Sequence, residues 1–116
     1  MTNKIYSFLG LASKAGKLVS GDETCERTIK AGKALMVIVS MDASDNTKKK
    51  FYDMCKHRDI ELRFFGEKEL IGRYTGKEIR SVVCIIDNGF AGQLGKMLND
   101  LKCESGGEFI VKSKNT

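Results

Sequence analysis

The chain has 116 residues, of which 41% are hydrophobic and 30% charged, with a formal net charge of +5. That length suits one domain with a real core and excludes a second full domain beside it, and no apolar stretch approaches membrane-spanning length. The positive excess is compatible with a nucleic-acid or other anionic partner, and equally with an ordinary, slightly basic surface.

Ile5, Phe8, Leu9 and Ala12 stand at i, i+3, i+4 and i+7, one apolar stripe of a helix from about Asn3 to Ala15. Lys4 ahead of this run imitates a signal peptide, but Ser7 interrupts it and no small-x-small cleavage pattern closes it. Gly16 is a natural left-handed cap. A short strand, Lys17 to Ser20, leads into a second helix, with Ser20 as N-cap and Glu23 at the capping-box spacing. This helix ends at Gly32. Leu35 to Ser40 is nearly all apolar, as a strand covered on both faces should be. A third helix opens at Ser44 and carries Phe51, Met54 and Cys55 on one face. A strand near Glu61 to Phe65, a short helix over Glu67 to Arg73 and a strand from Val82 to Asp87 follow. The last helix, Gly89 to Leu101, has an apolar stripe of Phe90, Leu94, Met97, Leu98 and Leu101.

This alternation predicts an α/β fold: a three-layer α/β/α sandwich around a four-stranded mixed sheet, its short first strand antiparallel at an edge. Residues 1–101 are expected to form the domain and 102–116 a tail. Gly106-Gly107 breaks the periodicity there, and Glu108 to Lys112 forms a short strand or stays loose.

Catalytic and metal chemistry finds little footing. Cys25, Cys55, Cys84 and Cys103 include no Cys-x-x-Cys pair, and His57 is the only histidine, so no metal or cofactor is expected. Nothing signals secretion, so the thiols read as reduced and the location as cytoplasmic. Flanked by Lys56 and Arg58, His57 reads as a solvated last-turn residue. The pairs Gly16-Lys17, Gly32-Lys33 and Gly76-Lys77 invite comparison with a phosphate-binding P-loop. Gly72 and Gly76 are too close for that motif, and Glu78 stands where a hydroxyl is needed. Asp87 reads as the N-cap of the last helix rather than a catalytic carboxylate. Cys25, near a helix start, is the one candidate for thiol chemistry, and its place in the helix turns it inward. No enzymatic activity is expected.

Two polar segments carry more information. Gly21, Asp22, Glu23, Thr24 and Arg27 join a strand to a helix, where exposed N–H groups suit phosphate. Glu23 and Arg27 are four apart and share a face. A carboxylate there accepts from base amino groups, and an arginine donates to guanine O6 and N7. The same residues serve as a capping box followed by a surface ion pair, and spacing does not separate the two readings. The second segment, Arg73, Tyr74, Thr75, Gly76, Lys77, Glu78, Ile79 and Arg80, mixes basic groups with a ring and an apolar residue. Unstacked RNA bases favour such a mixture. A solvated loop with Tyr74 and Ile79 folded into the core fits equally well.

Together these segments resemble a known family. Lys17-Leu18-Val19-Ser20-Gly21, Ala31-Gly32-Lys33, Leu35 to Ser40, Leu70-Ile71-Gly72 to Gly76-Lys77-Glu78 and Asp87-Asn88-Gly89-Phe90-Ala91 follow one another as in the kink-turn RNA-binding ribosomal proteins of the L7Ae and L30e type. Leu9-Gly10-Leu11-Ala12, Val19-Ser20-Gly21 and Asp42-Ala43-Ser44-x-Asn46-Thr47 look most like a bacterial branch of that family. The similarity covers about Ile5 to Leu101. It implies the same sandwich and binding of kink-turn RNA through two segments. The first has the family pattern Gly-x-Asn-Glu-x-x-Lys, which Gly21 and Arg27 fit. Glu23 stands at the family's asparagine and Thr24 at its glutamate. A glutamate only accepts where asparagine also donates, and threonine is too short to reach, so reading of the tandem sheared G·A pairs is expected to be altered or weakened. The second segment, Gly76, Lys77, Glu78 and Ile79, fits the family loop that holds an extruded nucleotide against apolar and backbone groups.

The expected partner is therefore structured RNA, a kink-turn, with ribosomal RNA and the ribosome as candidate settings, no membrane, and a monomeric protein. Lys14, Lys17, Arg73 and Arg80 are candidates for phosphate neutralisation. The competing expectation is a ribosome-associated or regulatory adaptor that binds mainly to protein. All of this requires the segment after Gly21 and the segment ending at Arg80 to share one surface.

Overall fold

Every residue of Met36–Val39 is buried, and consecutive side chains enter opposite cores. Met36 and Ile38 pack on one side of the sheet, Val37 and Val39 on the other, as the two-residue period of a strand requires. The computed structural model describes residues 2–105 and 109–111. Its elements are α1 (Thr2–Lys14), β1 (Leu18–Ser20), α2 (Asp22–Lys30), β2 (Met36–Val39), α3 (Asp45–Arg58), β3 (Glu61–Phe64), α4 (Lys68–Tyr74), β4 (Val82–Ile85), α5 (Asn88–Ser105) and β5 (Phe109–Val111).

The sheet order is β1-β4-β2-β3-β5. β4 runs antiparallel to both β1 and β2, while β2 and β3 are parallel. The four expected strands are all present, with β1 antiparallel to β4 as anticipated. A fifth, β5, pairs antiparallel with β3. Of the segment anticipated as either strand or loose chain, 109–111 is this strand, and Glu108 and Lys112 lie outside the described residues. α5 continues four residues past Leu101 to Ser105.

Helices cover both faces of the sheet. Ile5, Leu9 and Ala12 of α1, Ile71 of α4, and Leu94 and Leu98 of α5 meet Met36, Ile38, Val83 and Ile85. Cys25 and Ile29 of α2 and Phe51 and Cys55 of α3 meet Val37, Val39, Leu62 and Cys84 on the other side. This is the three-layer sandwich the alternation predicts.

Caps behave mostly as local chemistry dictates. Ser44 Oγ accepts from the Thr47 N–H at 3.2 Å, and Asp87 Oδ2 from the Phe90 N–H at 3.0 Å. Each Gly-Lys pair closes a helix: the N–H groups of Lys17, Lys33 and Lys77 bond the carbonyls of Ala12, Thr28 and Gly72, each five residues back. The cap expected at Ser20 is not formed. Ser20 remains paired with Val83 in the sheet, and α2 starts one residue later from Gly21, without a side-chain cap.

Because β1 and β2 both oppose β4, strands β1, β2 and β3 point the same way. Their C-terminal ends and the start of β4 share one rim of the sheet. α2 and α3 both begin at that rim. None of the helices among the described residues is long and apolar enough to cross a membrane.

Candidate nucleic-acid interface

The first half of the candidate site is the opening of α2. Gly21 has φ 97° and ψ 150°, a conformation that L side chains rarely adopt, so glycine is required there. Its N–H donates to the Val82 carbonyl at 3.0 Å, which fixes the turn to β4. Asp22 and Glu23 are exposed on the first turn, Thr24 is half-buried, and Arg27 is exposed one turn further. Glu23 and Arg27 form no ion pair with each other. They line a shallow depression together with Glu26 and Lys30. Neither the capping box nor the ion pair that competed with the RNA reading forms at the start of α2. Glu26 instead joins Lys30 and Lys50, which hold its carboxyl below the usual range, Lys50 contributing most.

The second half is the stretch from Tyr74 to Arg80. A Cβ on Gly72 would collide with the Glu78 carbonyl, so the absence of a side chain lets the stretch fold back along α4. Lys77 N–H donates to the Gly72 carbonyl at 2.7 Å, and Arg80 N–H to the Lys68 carbonyl at 3.0 Å. Thr75 Oγ1 donates to the Ile71 carbonyl at 2.8 Å. These bonds hold the backbone while the side chains of Lys77, Glu78 and Ile79 project outward, with Gly76 at the exposed bend. Ile79 is 54% exposed, so it is not a core residue. Tyr74 is 38% exposed and its ring stacks on Tyr6 of α1, with centroids 5.2 Å apart. Burial raises the pKa of Tyr6, whose hydroxyl accepts from the Glu67 N–H.

The two halves meet. Arg80 Nε donates to Ser20 Oγ at 3.0 Å, and the same Nε is 3.9 Å from where a Cβ on Gly21 would stand. Arg80 NH1 also donates to the Ile79 carbonyl at 2.8 Å. Gly21 to Arg27 and Ile79 to Arg80 therefore occupy one rim. Three expected site residues sit apart from that junction. Lys17 lies at the opposite end of β1, where its carbonyl bonds the Ile86 N–H, roughly 10 Å along the strand from Ser20. Arg73 pairs with Glu69 on the exposed side of α4. Tyr74 turns its ring onto α1.

Spacing missed several contributors. Ser20 is an anchor for Arg80 rather than a helix cap. Gly72 and Gly10 let backbone approach closely: a Cβ on Gly10 would come within 2.5 Å of the Tyr74 carbonyl oxygen. Glycines inside helical patterns were the available signal for both. Cys25 is fully buried, with its thiol directed at the Val19 and Val82 carbonyls, so the helix-start thiol faces no open approach. No cluster of three metal-ligating side chains occurs among the described residues.

The family described as "Ribosomal protein L7Ae/L30e/S12e/Gadd45 family" matches residues 3–95. This chain belongs to that family. A relative from Bacillus subtilis (strain 168), named RNA-binding protein YlxQ, is 37% identical over 94 residues, spanning 81% of this chain and 94% of its own. A relative of the same name from Enterococcus faecium is 40% identical over 96 residues, 82% of this chain and 91% of its own. The bacterial branch that the short motifs resemble is the YlxQ branch, and both relatives carry its name. A solved protein of unknown function from Bacillus halodurans C superposes with a TM-score of 0.79 at 35% identity, covering 83% of this chain and 97% of that one. The Giardia lamblia 15.5kD RNA binding protein shares the fold, with a TM-score of 0.71 at 16% identity over 87% of each chain.

Proposed function

We propose that this L7Ae-family chain binds structured RNA of the kink-turn type, catalyses no reaction, and does so through the rim where α2 begins and β4 starts. The observation that carries the reading is the junction of Arg80 with Ser20 and Gly21, which unites the two segments in one surface. The RNA-binding names of the two bacterial relatives support it.

In this reading Arg27, exposed and unpaired with Glu23, donates to a guanine edge in the widened groove. Ile79 offers its apolar side chain to an extruded base, and Lys77 and Arg80 neutralise phosphate beside it. Asp22 and Glu23 accept from base amino groups. Glu23 and Thr24 in place of the family's asparagine and glutamate weaken the reading of the G·A pairs rather than abolish it, because Arg27 keeps a planar two-donor fork. The protein acts as a monomer in the cytoplasm, on ribosomal or other folded RNA.

Calorimetric titration of a kink-turn duplex against an uninterrupted duplex of equal length tests this at fixed salt. The expected result is preference for the bent RNA and an affinity that falls steeply as salt rises. Equal affinity for the two duplexes would overturn the kink-turn reading. No RNA binding at any salt would leave the protein-binding adaptor as the better account.

A further inference from the structure

The charge of this chain is concentrated on a helix that the proposed site leaves unused. Within α3, Lys48, Lys49, Lys50, Lys56 and Arg58 face Asp45 and Asp53, five basic side chains against two acidic, a net +3 out of +5 for the whole chain. α2, by contrast, presents Asp22, Glu23 and Glu26, an acidic turn where a polyanion would have to dock. The two helices lie side by side on one face of the sheet and start from the same rim.

Their seam is built. The Glu26 carboxylate receives Lys50 from α3 at 2.7 Å on one oxygen and Lys30 from α2 at 3.0 Å on the other. Lys50 also lies in the field of Asp22 and Glu23. One carboxylate thus holds two ammonium groups, both still substantially exposed, beside the exposed Arg27. Lys30, Lys50 and the neighbouring Arg27 set against Glu26 alone leave an excess of +2, which Asp22 and Glu23 of the first turn bring to zero, so the strip depends on where the cations stand rather than on net charge. A lysine retains donors for a second acceptor after one ion pair.

We propose that this α2–α3 seam, with Lys30 and Lys50 held on the two oxygens of Glu26, is a second RNA-binding strip that takes backbone phosphates of the stem flanking the bend. It rests on the RNA-binding reading above and extends it from the rim along the outer face. Glu26 sets the resting place of the two ammonium groups in the free protein, and both stay charged and able to turn to phosphate without it. The acidic start of α2 then meets RNA with cations of α3 beside it, which explains how a helix with three carboxylates tolerates a polyanion.

The test uses full-length protein and two kink-turn RNAs, one with a long flanking stem and one cut short at the bend. Affinity is measured from about 50 to 300 mM salt for wild type, K30Q, K50Q, the double variant and E26Q. Each phosphate left without its cation should flatten the slope of log affinity against log salt by about 0.7–0.9. The double variant should therefore have a slope shallower by about 1.4–1.8 on the long-stem RNA and almost unchanged on the short one. E26Q breaks the same two ion pairs but keeps both cations, so it should retain most of the wild-type slope. If E26Q flattens the slope as the lysine variants do, the seam only holds the helices together and the strip is overturned. Slopes unchanged in the double variant on the long stem overturn it as well, while leaving the rim site standing. A wild-type protein that binds neither RNA overturns both readings.

Discussion

Arg80 reaches Ser20 across 60 residues of chain, its Nε donating to the serine hydroxyl at 3.0 Å. Ser20 satisfies the capping-box pattern by spacing, but strand pairing with Val83 keeps it in the sheet, and the hydroxyl accepts from a distant arginine instead. The bond fixes a long cationic side chain over Gly21 before any ligand arrives. Ser20→Ala should therefore weaken RNA binding by about 0.5–1.5 kcal/mol, the cost of ordering one rotamer-rich side chain on association. Calorimetry against a kink-turn duplex checks this, with thermal unfolding in parallel. If melting falls and affinity holds, the bond is a fold joint and no part of the interface.

Arg27 is exposed on α2 and lacks the Glu23 partner its spacing suggested. Arg27→Ala should cost about 1–3 kcal/mol of RNA affinity if the guanidinium reads a guanine. Stability should stay within about 0.5 kcal/mol, as for a surface change without a named structural role. Arg27→Lys should recover phosphate attraction but not the two-donor geometry, and so fall between. Identical affinity in all three proteins would remove Arg27 from the interface.

The departures at Glu23 and Thr24 can be reversed. Both positions lie on the first turns of α2, Glu23 exposed and Thr24 half-buried. Combining Glu23→Asn with Thr24→Glu restores the family's pair of groups, one of which both donates and accepts. Kink-turn affinity should rise by about 1–3 kcal/mol, the worth of one well-made base contact, while affinity for plain duplex stays level. A double variant that binds both RNAs as the parent does would mean that these positions do not meet the G·A pairs.

The layers of this molecule are legible because local chemistry and global packing agree: Met36–Val39 is apolar throughout and buried on both faces, and Ser44 and Asp87 cap the helices that follow them. Legibility fails where a partner is distant in sequence. Nothing in the spacing around Ser20 announces Arg80, and nothing around Glu26 announces Lys50. Nearness to Gly21 in sequence groups Lys17 with the site, but an extended strand separates neighbours by over ~3 Å per residue. Tyr74 and Ile79 leave two readings open, since an apolar residue in a basic stretch is equally at home in a core or on a ligand. The loop's backbone bonds, not its composition, decide that Ile79 faces outward.

Gly72 and Ile79 should separate stability from binding. A Cβ at position 72 meets the Glu78 carbonyl, which is backbone and cannot swing aside. Gly72→Ala should destabilise by about 1–3 kcal/mol, as overpacking does, and disturb the loop with it. Ile79→Ser, at a site 54% exposed, should leave urea unfolding nearly unchanged and weaken RNA binding. A fully stable Gly72→Ala protein would contradict the tight return of the loop, and full RNA affinity in Ile79→Ser would take the extruded base elsewhere.

Buried thiols set an alkaline limit on stability. Burial, with the neighbouring Cys84 adding to it, pushes the Cys55 thiol up to about 12. Cys84 is raised too, first through its hydrogen bonding with Cys25 and then through burial. The unfolded chain releases these protons near the ordinary cysteine value of about 8.5, while the folded chain still holds them. Above that pH the unfolded state binds fewer protons, so the slope of unfolding free energy with pH is negative. Stability should be insensitive to these groups below about pH 8.5 and decline from there toward pH 12. Urea unfolding of wild type and Cys55→Ala at about pH 7, 8, 9 and 10 checks the sign: the variant starts lower because it opens a cavity, but its line should fall less steeply. Parallel lines for the two proteins would show that the Cys55 thiol ionises as readily folded as unfolded. Mass-mapped alkylation at about pH 7.5 gives an independent reading, with Cys25, Cys55 and Cys84 expected to label only once denaturant opens the α2–α3 side of the sheet.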